Sequence, residues 1–218
     1  MSFDFQSELY QRRQNTFDGA GNLIGCRFDA DNGKVSQMNH ARHYVQHWQK
    51  MREKGIGLLF WGPPGTGKTY AAACIANAFV ESKEDFAPSV IMTTFGCILR
   101  RMLACGPQER EEYFDRLLRC HILILDDFGM ERQTEFAREQ VFNLINGRYL
   151  SGSPIIMTTN LTMQQLKNPQ SMAEHRIYDR VLEMCVPVLF DGESLRREKA
   201  SEKLRFYKDL IGPEPEDA

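Results

Sequence analysis

Residues 62–69 read Gly-Pro-Pro-Gly-Thr-Gly-Lys-Thr, and this stretch decides the fold. It matches every fixed position of G-x-x-x-x-G-K-[ST], a pattern typical of phosphate-binding loops. The apolar run 56–61 precedes it, as expected for a buried parallel strand. Apolar residues at helical spacing follow it, at Ala72, Ile75, Ala76 and Phe79. The sequence therefore predicts a strand, a phosphate-binding loop and a helix in succession.

The residue types in this loop suit an anion. Its three glycines let backbone N–H groups turn inward, and the next helix directs its positive end at the same point. Lys68 can reach the β- and γ-phosphates of ATP, and the Thr69 hydroxyl can ligate Mg²⁺. The alternative is a plain Gly-Pro turn, which does not need the Lys-Thr pair. We expect ATP and Mg²⁺ as cofactors, with a nucleotide-binding set of Gly62, Pro63, Pro64, Gly65, Thr66, Gly67, Lys68, Thr69 and Tyr70.

The rest of the chain alternates apolar strands with helical segments. Such alternation predicts an α/β fold, a five-stranded parallel sheet with helices on both faces, and the phosphate-binding loop makes it one of the P-loop NTPase type. Pro187 suits an edge strand, because proline cannot donate to the ladder. Beyond 56–61, we predict strands at 89–93, 122–125, 154–159 and 185–190, and helices at 39–53, 95–104, 109–119, 134–150, 172–184 and 194–210.

Turn signals and few periodic residues mark the first part of the chain. We predict an extended N-terminal arm over 1–38 with a short ordered piece near 24–28. The ATPase domain is predicted over 39–211, and the Gly-Pro-Glu-Pro stretch favours a disordered tail over 212–218.

Three polar residues follow predicted strands. Asp126 and Asp127 end the apolar run 122–125, and Asn160 follows 154–159. Ligands in parallel sheets bind beyond the carboxyl ends of the strands, so we expect these side chains near the phosphate loop. Asp126 can hold Mg²⁺ opposite Thr69, Asp127 can act as a general base, and Asn160 can orient the attacking water. The alternatives are a helix N-cap or turn for the aspartates and a turn residue for Asn160.

An arginine can stabilise the negative charge that develops on a transferred phosphoryl group. Four arginines are candidates, and for each of them a solvated surface residue is the default alternative, because exposed charge is common. Spacing alone does not choose between Arg176, Arg180, Arg196 and Arg197.

Composition limits the possible environments. The 218 residues carry a formal net charge of −2, so any nucleic-acid binding must come from a local basic patch. No apolar run approaches the ~18 residues of a membrane span, and the polar N-terminus does not resemble a secretory signal. Six scattered cysteines without a C-x-x-C pair favour a reducing, cytoplasmic location.

These motifs together resemble the AAA+ family, and within it the branch of DnaC- and DnaI-type helicase loaders and IstB transposition helpers. The resemblance covers about residues 24–210. The arginine motifs point to this branch. The matching stretches are Gly-Pro-Pro-Gly-Thr-Gly-Lys-Thr at 62–69, Ile-Leu-Ile-Leu-Asp-Asp-Phe-Gly at 122–129, Thr-Thr-Asn at 158–160, His-Arg-Ile-Tyr-Asp-Arg at 175–180 and Gly-Glu-Ser-Leu-Arg at 192–196.

The resemblance implies a role for each matching residue. Lys68 and Thr69 correspond to the first nucleotide-binding motif, Asp126 and Asp127 to the second, and Asn160 to the sensor near the γ-phosphate. Arg176 resembles the finger offered to the neighbouring subunit's ATP, and Arg196 resembles the second sensor. Many family members have Glu where Asp127 stands. At the C-terminus one helix stands in place of the full helical lid.

The same resemblance implies partners. It implies a homo-oligomer with ATP at subunit interfaces, single-stranded DNA as a ligand, and a replicative helicase or a transposase as the protein partner. We expect Arg100, Arg101 and Arg110 to contact the DNA, and the alternative, equally compatible with their charge alone, is a solvated helix face. The 38-residue arm does not match the helicase-binding domain of typical loaders. The alternatives are a transposition helper, an ATP-gated binding module with little turnover, and a small-molecule P-loop kinase, although no arginine-rich lid segment is evident.

Overall fold

Five parallel strands form the centre of the computed structural model, which describes residues 2–18, 21–31, 33, 35–82, 88–129 and 134–211. The strand order is β2-β3-β4-β1-β5. This confirms the predicted five-stranded parallel sheet and the edge position of Pro187, while the predicted tail over 212–218 lies outside the described residues. The strands are β1 Gly57–Trp61, β2 Val90–Thr94, β3 Ile122–Phe128, β4 Ile155–Thr159 and β5 Cys185–Leu189.

Helices cover both faces of this sheet. Side chains alternate along β1, so that Leu58 and Phe60 enter one apolar layer and Leu59 enters the other. The first layer contains α2, α3 and α4, and the second contains α5 to α9. The helices are α1 Ser2–Thr16, α2 Met38–Gln46, α3 Trp48–Glu53, α4 Lys68–Val80, α5 Phe95–Ala104, α6 Pro107–Arg119, α7 Glu135–Leu150, α8 Met163–Lys167, α9 Met172–Met184 and α10 Leu195–Ile211.

The prediction of an extended arm over 1–38 is wrong. Residues 2–16 form α1, and a 3₁₀ turn occupies Gly21–Leu23. After α1, Phe17 pairs with Met92 at the free edge of β2, and the Asp18 N–H donates to the Met92 carbonyl at 3.1 Å. The arm is therefore packed against the sheet, whereas the domain boundary at residue 38 stays a prediction.

Contacts with residues that are distant in the sequence hold α1 in place. Arg13 pairs with Glu81 at 2.6 Å, and Arg27 pairs with the same carboxylate. Arg12 donates to the carbonyls of Phe79 and Ser82, at the C-terminal end of α4. Cations are favourable at a helix C-terminus, where carbonyls lack intrahelical partners. These contacts are tertiary, so turn and periodicity signals could not predict them.

Three further details differ from the sequence prediction. The helix predicted over 39–53 is interrupted at His47, which separates α2 from α3. Residues 163–167 form the short helix α8, whose capping box uses Thr162 and Gln165. Strand β3 does not end before the aspartates but continues through them to Phe128. Within the described part of the chain, no helix has the length and apolar content to cross a membrane.

Candidate nucleotide-binding site

The sheet order brings the predicted motifs together. β4 lies between β3 and β1. The loop after β1, the aspartates of β3 and Asn160 after β4 therefore lie at the carboxyl ends of three adjacent parallel strands. In a parallel sheet this edge is where ligands bind.

The loop over 62–69 has the backbone that its glycines permit. Gly65 and Gly67 have φ angles of +86° and +102°, a region that side-chain-bearing residues rarely adopt. A Cβ atom on Gly65 would also overlap the hydroxyl of Ser194. Glycine at position 65 is thus required both by its conformation and by the close approach of the chain before α10.

Lys68 is the first residue of α4, and its side chain is only 5% exposed. Its Nζ donates to the carbonyls of Gly62 at 2.8 Å and Pro63 at 2.6 Å. Burial lowers the pKa of Lys68, and the charge of Arg196 lowers it further, while Asp127 and Asp126 act in the opposite direction. No carboxylate of the described residues lies within ion-pair distance of this ammonium group.

A phosphate fits this arrangement. Among the described residues, the buried Lys68 cation has only neutral carbonyl partners, and the turning loop directs the N-terminus of α4 at the same region. An anion would supply the compensating charge. The donor set therefore suits the phosphates of a nucleotide.

Asp126 joins the two motifs. Its Oδ1 accepts hydrogen bonds from the hydroxyl of Thr69 at 2.8 Å and from that of Thr158 at 2.6 Å. Burial raises the pKa of Asp126, and the bonds from Thr158 and Thr69 counteract that rise. A carboxylate beside a threonine hydroxyl is an oxygen pair of the type that holds Mg²⁺ in P-loop proteins, so these residues fit that ion.

Asp127 has an unusual backbone. Its φ is +55°, the one positive value among the non-glycine residues that the structure describes. Leu125 is in register with Met157 and Phe128 with Thr159, so β3 has one extra residue here and forms a bulge. The side chain of Asp127 is exposed at the carboxyl end of β3. Left-handed backbone in a non-glycine residue costs about 1–3 kcal/mol and is concentrated at functional sites.

Asn160 is half-buried directly after β4, and within the described part of the chain its side-chain amide forms no hydrogen bond. Thr159 shapes the turn around it. The Thr159 hydroxyl donates to the Phe128 carbonyl at 2.7 Å and accepts the Leu161 N–H at 3.1 Å. The side-chain amide of Asn160 is thus available to a ligand at the carboxyl ends of the strands, where the aspartates also lie.

The start of α10 contacts the phosphate loop of its own chain. The Leu195 N–H donates to the Gly65 carbonyl at 3.0 Å, which brings exposed Arg196 into the electrostatic environment of Lys68. Arg197 is also exposed, and its N–H donates to the Ser194 carbonyl at 3.0 Å. The side chain of Tyr70 points to the N-terminal segment, where its hydroxyl donates to the Arg27 carbonyl at 2.8 Å.

The two arginines of α9 differ in their surroundings. Arg180 stacks on Phe142 and Tyr149 at 5.2 and 5.6 Å, and its guanidinium donates to the Arg176 carbonyl at 2.8 Å. Arg176 is exposed. Arg180 is therefore engaged within its own chain, and the side chain of Arg176 is the one directed to solvent.

The expected DNA-contacting arginines lie on α5 and α6. Arg100 is exposed and lies beside the Cys97 sulfur at 3.2 Å. Arg101 stacks on Tyr113 at 4.4 Å and pairs with Asp18 at 3.4 Å. Arg110 is half-buried and donates to the Cys105 carbonyl at 3.4 Å. Of the three, Arg100 has the most accessible charge.

Sequence reasoning did not identify two contributors to the site. Thr158 contacts both aspartates of β3, and the Ser194–Leu195 pair packs on the phosphate loop. The Thr-Thr-Asn stretch at 158–160 was a usable signal, because polar residues at the end of a buried strand need partners. Residues 194–195 lie within the matching stretch 192–196, but nothing in that stretch indicated their contact with Gly65.

Known proteins resemble this chain in sequence and in fold. The family described as IstB-like ATP binding protein matches residues 31–203. The replicative helicase loader DnaI of Bacillus subtilis is 27% identical over 80% of this chain and 59% of its own length. A protein named as an ATP-binding protein in an insertion sequence of Mycobacterium tuberculosis is 29% identical over 67% of this chain and 58% of its own.

The fold is similar to that of solved helicase loaders. A crystal structure of DnaI superposes with a TM-score of 0.64 at 23% identity, covering 84% of this chain and 98% of that chain. The chain spans about three fifths of the length of the two curated relatives above.

Proposed function

Because the chain belongs to the IstB-like ATP binding protein family, we propose that it is an ATPase of DNA replication that binds single-stranded DNA and helps to load a replicative helicase. Members of this P-loop AAA+ group bind ATP. The observation that best supports hydrolysis is the 2.8 Å bond between Thr69 and Asp126, which joins the phosphate loop to the strand that carries Asp127. The likeness to a replicative helicase loader supports the role in replication, and with it a cytoplasmic site of action.

In this proposal each residue acts at a defined point. Lys68 binds the β- and γ-phosphates, and Thr69 and Asp126 hold Mg²⁺. The metal, when bound, neutralises charge on the phosphates. Asp127 accepts a proton from the attacking water, which Asn160 orients. The exposure of Asp127 and the available amide of Asn160 support these two assignments.

Two arginines complete the proposed site. Arg196 senses nucleotide in its own subunit. It directly follows Leu195, whose backbone N–H donates to the Gly65 carbonyl of the phosphate loop. Arg176, exposed on α9, is offered to ATP on a neighbouring subunit, which requires a homo-oligomer with ATP at its interfaces. Because Arg180 stacks on aromatic side chains of its own chain, we assign this role to Arg176 rather than to Arg180.

Two substitutions test the ATPase proposal. Lys68→Ala should lose ATP binding, whereas Asp127→Asn should retain binding and lose hydrolysis, because Asp126 would still be present to hold Mg²⁺. Asp115→Asn is the matched control, since among the described residues Asp115 pairs only with Arg119 on the α6 surface. Binding of a fluorescent ATP analogue and release of phosphate are the two measurements. Wild-type turnover by Asp127→Asn would rule out its role as base.

The DNA-binding part of the proposal has its own test. Reversing the charges of Arg100 and Arg101 to Glu should weaken binding of a labelled single strand and flatten its salt dependence. The control reverses Lys50 and Arg52, two exposed cations of α3. If both double variants bind DNA equally, the α5–α6 surface is not the binding site.

The relative in an insertion sequence favours a second candidate, a helper ATPase for a transposase. Both candidates share the ATP site and differ in the protein partner. Co-purification with the replicative helicase or with a transposase, each in the presence of ATP, separates them. Stoichiometric, ATP-dependent binding without turnover would instead indicate an ATP-gated binding module.

A further inference from the structure

One buried hydroxyl of β4 contacts both acidic residues of β3. Thr158 is 0% exposed. Its Oγ1 donates to Asp126 Oδ1 at 2.6 Å and accepts the backbone N–H of Asp127 at 3.0 Å. A single oxygen atom therefore links a side chain assigned to the metal with the backbone of the residue assigned as base.

The bond to Asp127 compensates for a defect in the strand. The bulge between Leu125 and Phe128 removes Asp127 from the regular ladder, so its N–H needs another acceptor. The Thr158 hydroxyl provides it. The bond also opposes relaxation of the left-handed backbone at Asp127, where φ is +55°. The backbone conformation of Asp127 sets the direction in which its carboxylate points.

The bond to Asp126 sets the orientation of the other carboxylate. Oδ1 accepts both hydroxyl protons, from Thr69 on the phosphate-loop side and Thr158 on the sheet side. The Asp127 backbone N–H is a further hydrogen-bond donor to this carboxylate. Thr158 thus fixes Oδ1 of Asp126 from the sheet side, opposite the contact from Thr69.

We propose that Thr158 is a positioning residue for ATP hydrolysis, whose hydroxyl fixes the Asp126 carboxylate and the Asp127 backbone relative to each other. The inference rests on the proposed ATPase function. Without the hydroxyl, Asp126 can rotate and Asp127 can relax towards a regular strand. The base and the metal ligand would then no longer be aligned for the same phosphate.

Other buried threonines of the sheet show what a purely structural role looks like. Thr159 and Thr93 are 0% and 1% exposed, like Thr158. Their hydroxyls donate to backbone carbonyls, that of Phe128 at 2.7 Å and that of Thr94 at 3.5 Å. Of these three threonines, Thr158 alone donates to a carboxylate. Burial of a satisfied hydroxyl does not by itself explain that choice of partner.

The test compares Thr158→Val, which keeps the shape and removes the hydroxyl, with Thr158→Ser, which keeps the hydroxyl. Loss of an outer-shell partner of a metal ligand typically costs about 10–100-fold in activity, so we expect that fall in kcat for Thr158→Val. Affinity for a fluorescent ATP analogue in EDTA should stay within about twofold, because Lys68 and the loop are unchanged. Thr158→Ser should recover most of kcat.

A second measurement does not depend on turnover. The Asp127 amide should exchange with solvent faster in Thr158→Val than in the wild type or Thr158→Ser, since the hydroxyl that accepts its N–H is removed. Thr93→Val is the matched control: it removes a buried hydroxyl from β2, so it should lower stability while leaving kcat unchanged.

The outcomes separate the inference from the function on which it rests. If the wild type hydrolyses ATP and Thr158→Val hydrolyses it equally well, the inference is wrong and the ATPase proposal stands. An equal loss of kcat in Thr158→Ser, or in Thr93→Val, would also overturn it, because the effect would not follow the hydroxyl. If the wild type has no turnover at all, both the ATPase proposal and the inference fail.

Discussion

Arg148 should be the most sensitive polar position of the fold. It is the largest fully buried side chain, at 0% exposure, although it is charged. Its guanidinium donates to main-chain carbonyls at the end of α6 and the starts of β3 and β4, which belong to Leu117, Leu118, Cys120, His121 and Pro154. Helix-terminal carbonyls lack intrahelical partners, so one arginine caps α6 and joins it to two strands.

We expect Arg148→Met to lower the free energy of unfolding by about 3–5 kcal/mol. Three of the bonds are fully buried, those to Leu117, Cys120 and Pro154. Each buried acceptor left unsatisfied costs about 1–3 kcal/mol, which gives about 3–9 kcal/mol for three. The lower part of that range applies, because the Leu117 carbonyl also accepts the Cys120 thiol and methionine refills most of the volume.

Urea unfolding followed by circular dichroism measures the change in the free energy of unfolding. In thermal unfolding of a chain of this size, each kcal/mol lowers Tm by about 2–4 °C, so Tm should fall by about 6–20 °C. The control is Arg119→Met at the end of α6, the helix that Arg148 caps, where the side chain is 81% exposed and should contribute little. A loss below about 1 kcal/mol for Arg148→Met would refute the reasoning, since the carbonyls would then have other partners.

Three further predictions concern other parts of the molecule. Burial, together with the charges of Arg52 and Arg148, lowers the pKa of His121, whose Nδ1 accepts the Ser89 N–H at 3.0 Å. Its folded pKa therefore lies below its unfolded value of ~6.5, so neutral His121 contributes to the free energy of unfolding above that pH, and this contribution is lost as the pH falls. Between pH 7.5 and 5.5, the free energy of urea unfolding should therefore change less in His121→Asn than in the wild type. An equal change in the two proteins would contradict the assignment. Mixing Lys68→Ala with Arg176→Ala should restore ATPase activity above that of either variant, because some interfaces would pair an intact Lys68 with an intact Arg176; no recovery in confirmed mixed oligomers would argue for a role within one chain. Glu81→Gln should weaken the packing of the N-terminal segment on the end of α4 by about 1–2 kcal/mol, because Arg13 of α1 and Arg27 after it lose their shared carboxylate; hydrogen exchange should then speed up in α1 and not in β4, and uniform exchange would contradict it.

Much of the fold could be predicted from the sequence because its signals are local. The loop at 62–69 needs glycines, a lysine and a threonine in a fixed order, and a run such as 122–125 can only be a buried strand or helix segment. Alternation of strands and helices restricts the sheet to parallel pairing, which places strand-end residues at one edge. Asp126, Asp127 and Asn160 could therefore be placed near Lys68 without coordinates.

The tertiary structure decided what depends on residues far apart in the chain. No local pattern indicates that α1 packs on the end of α4, that β3 bulges at Asp127, or which partners the Thr158 hydroxyl takes. Likewise, spacing does not distinguish Arg176 from Arg180, and the physical difference between them is that Phe142 and Tyr149 of α7 lie against Arg180. Periodicity reports which face of an element is apolar, whereas the choice of partner for a polar group is made where elements meet.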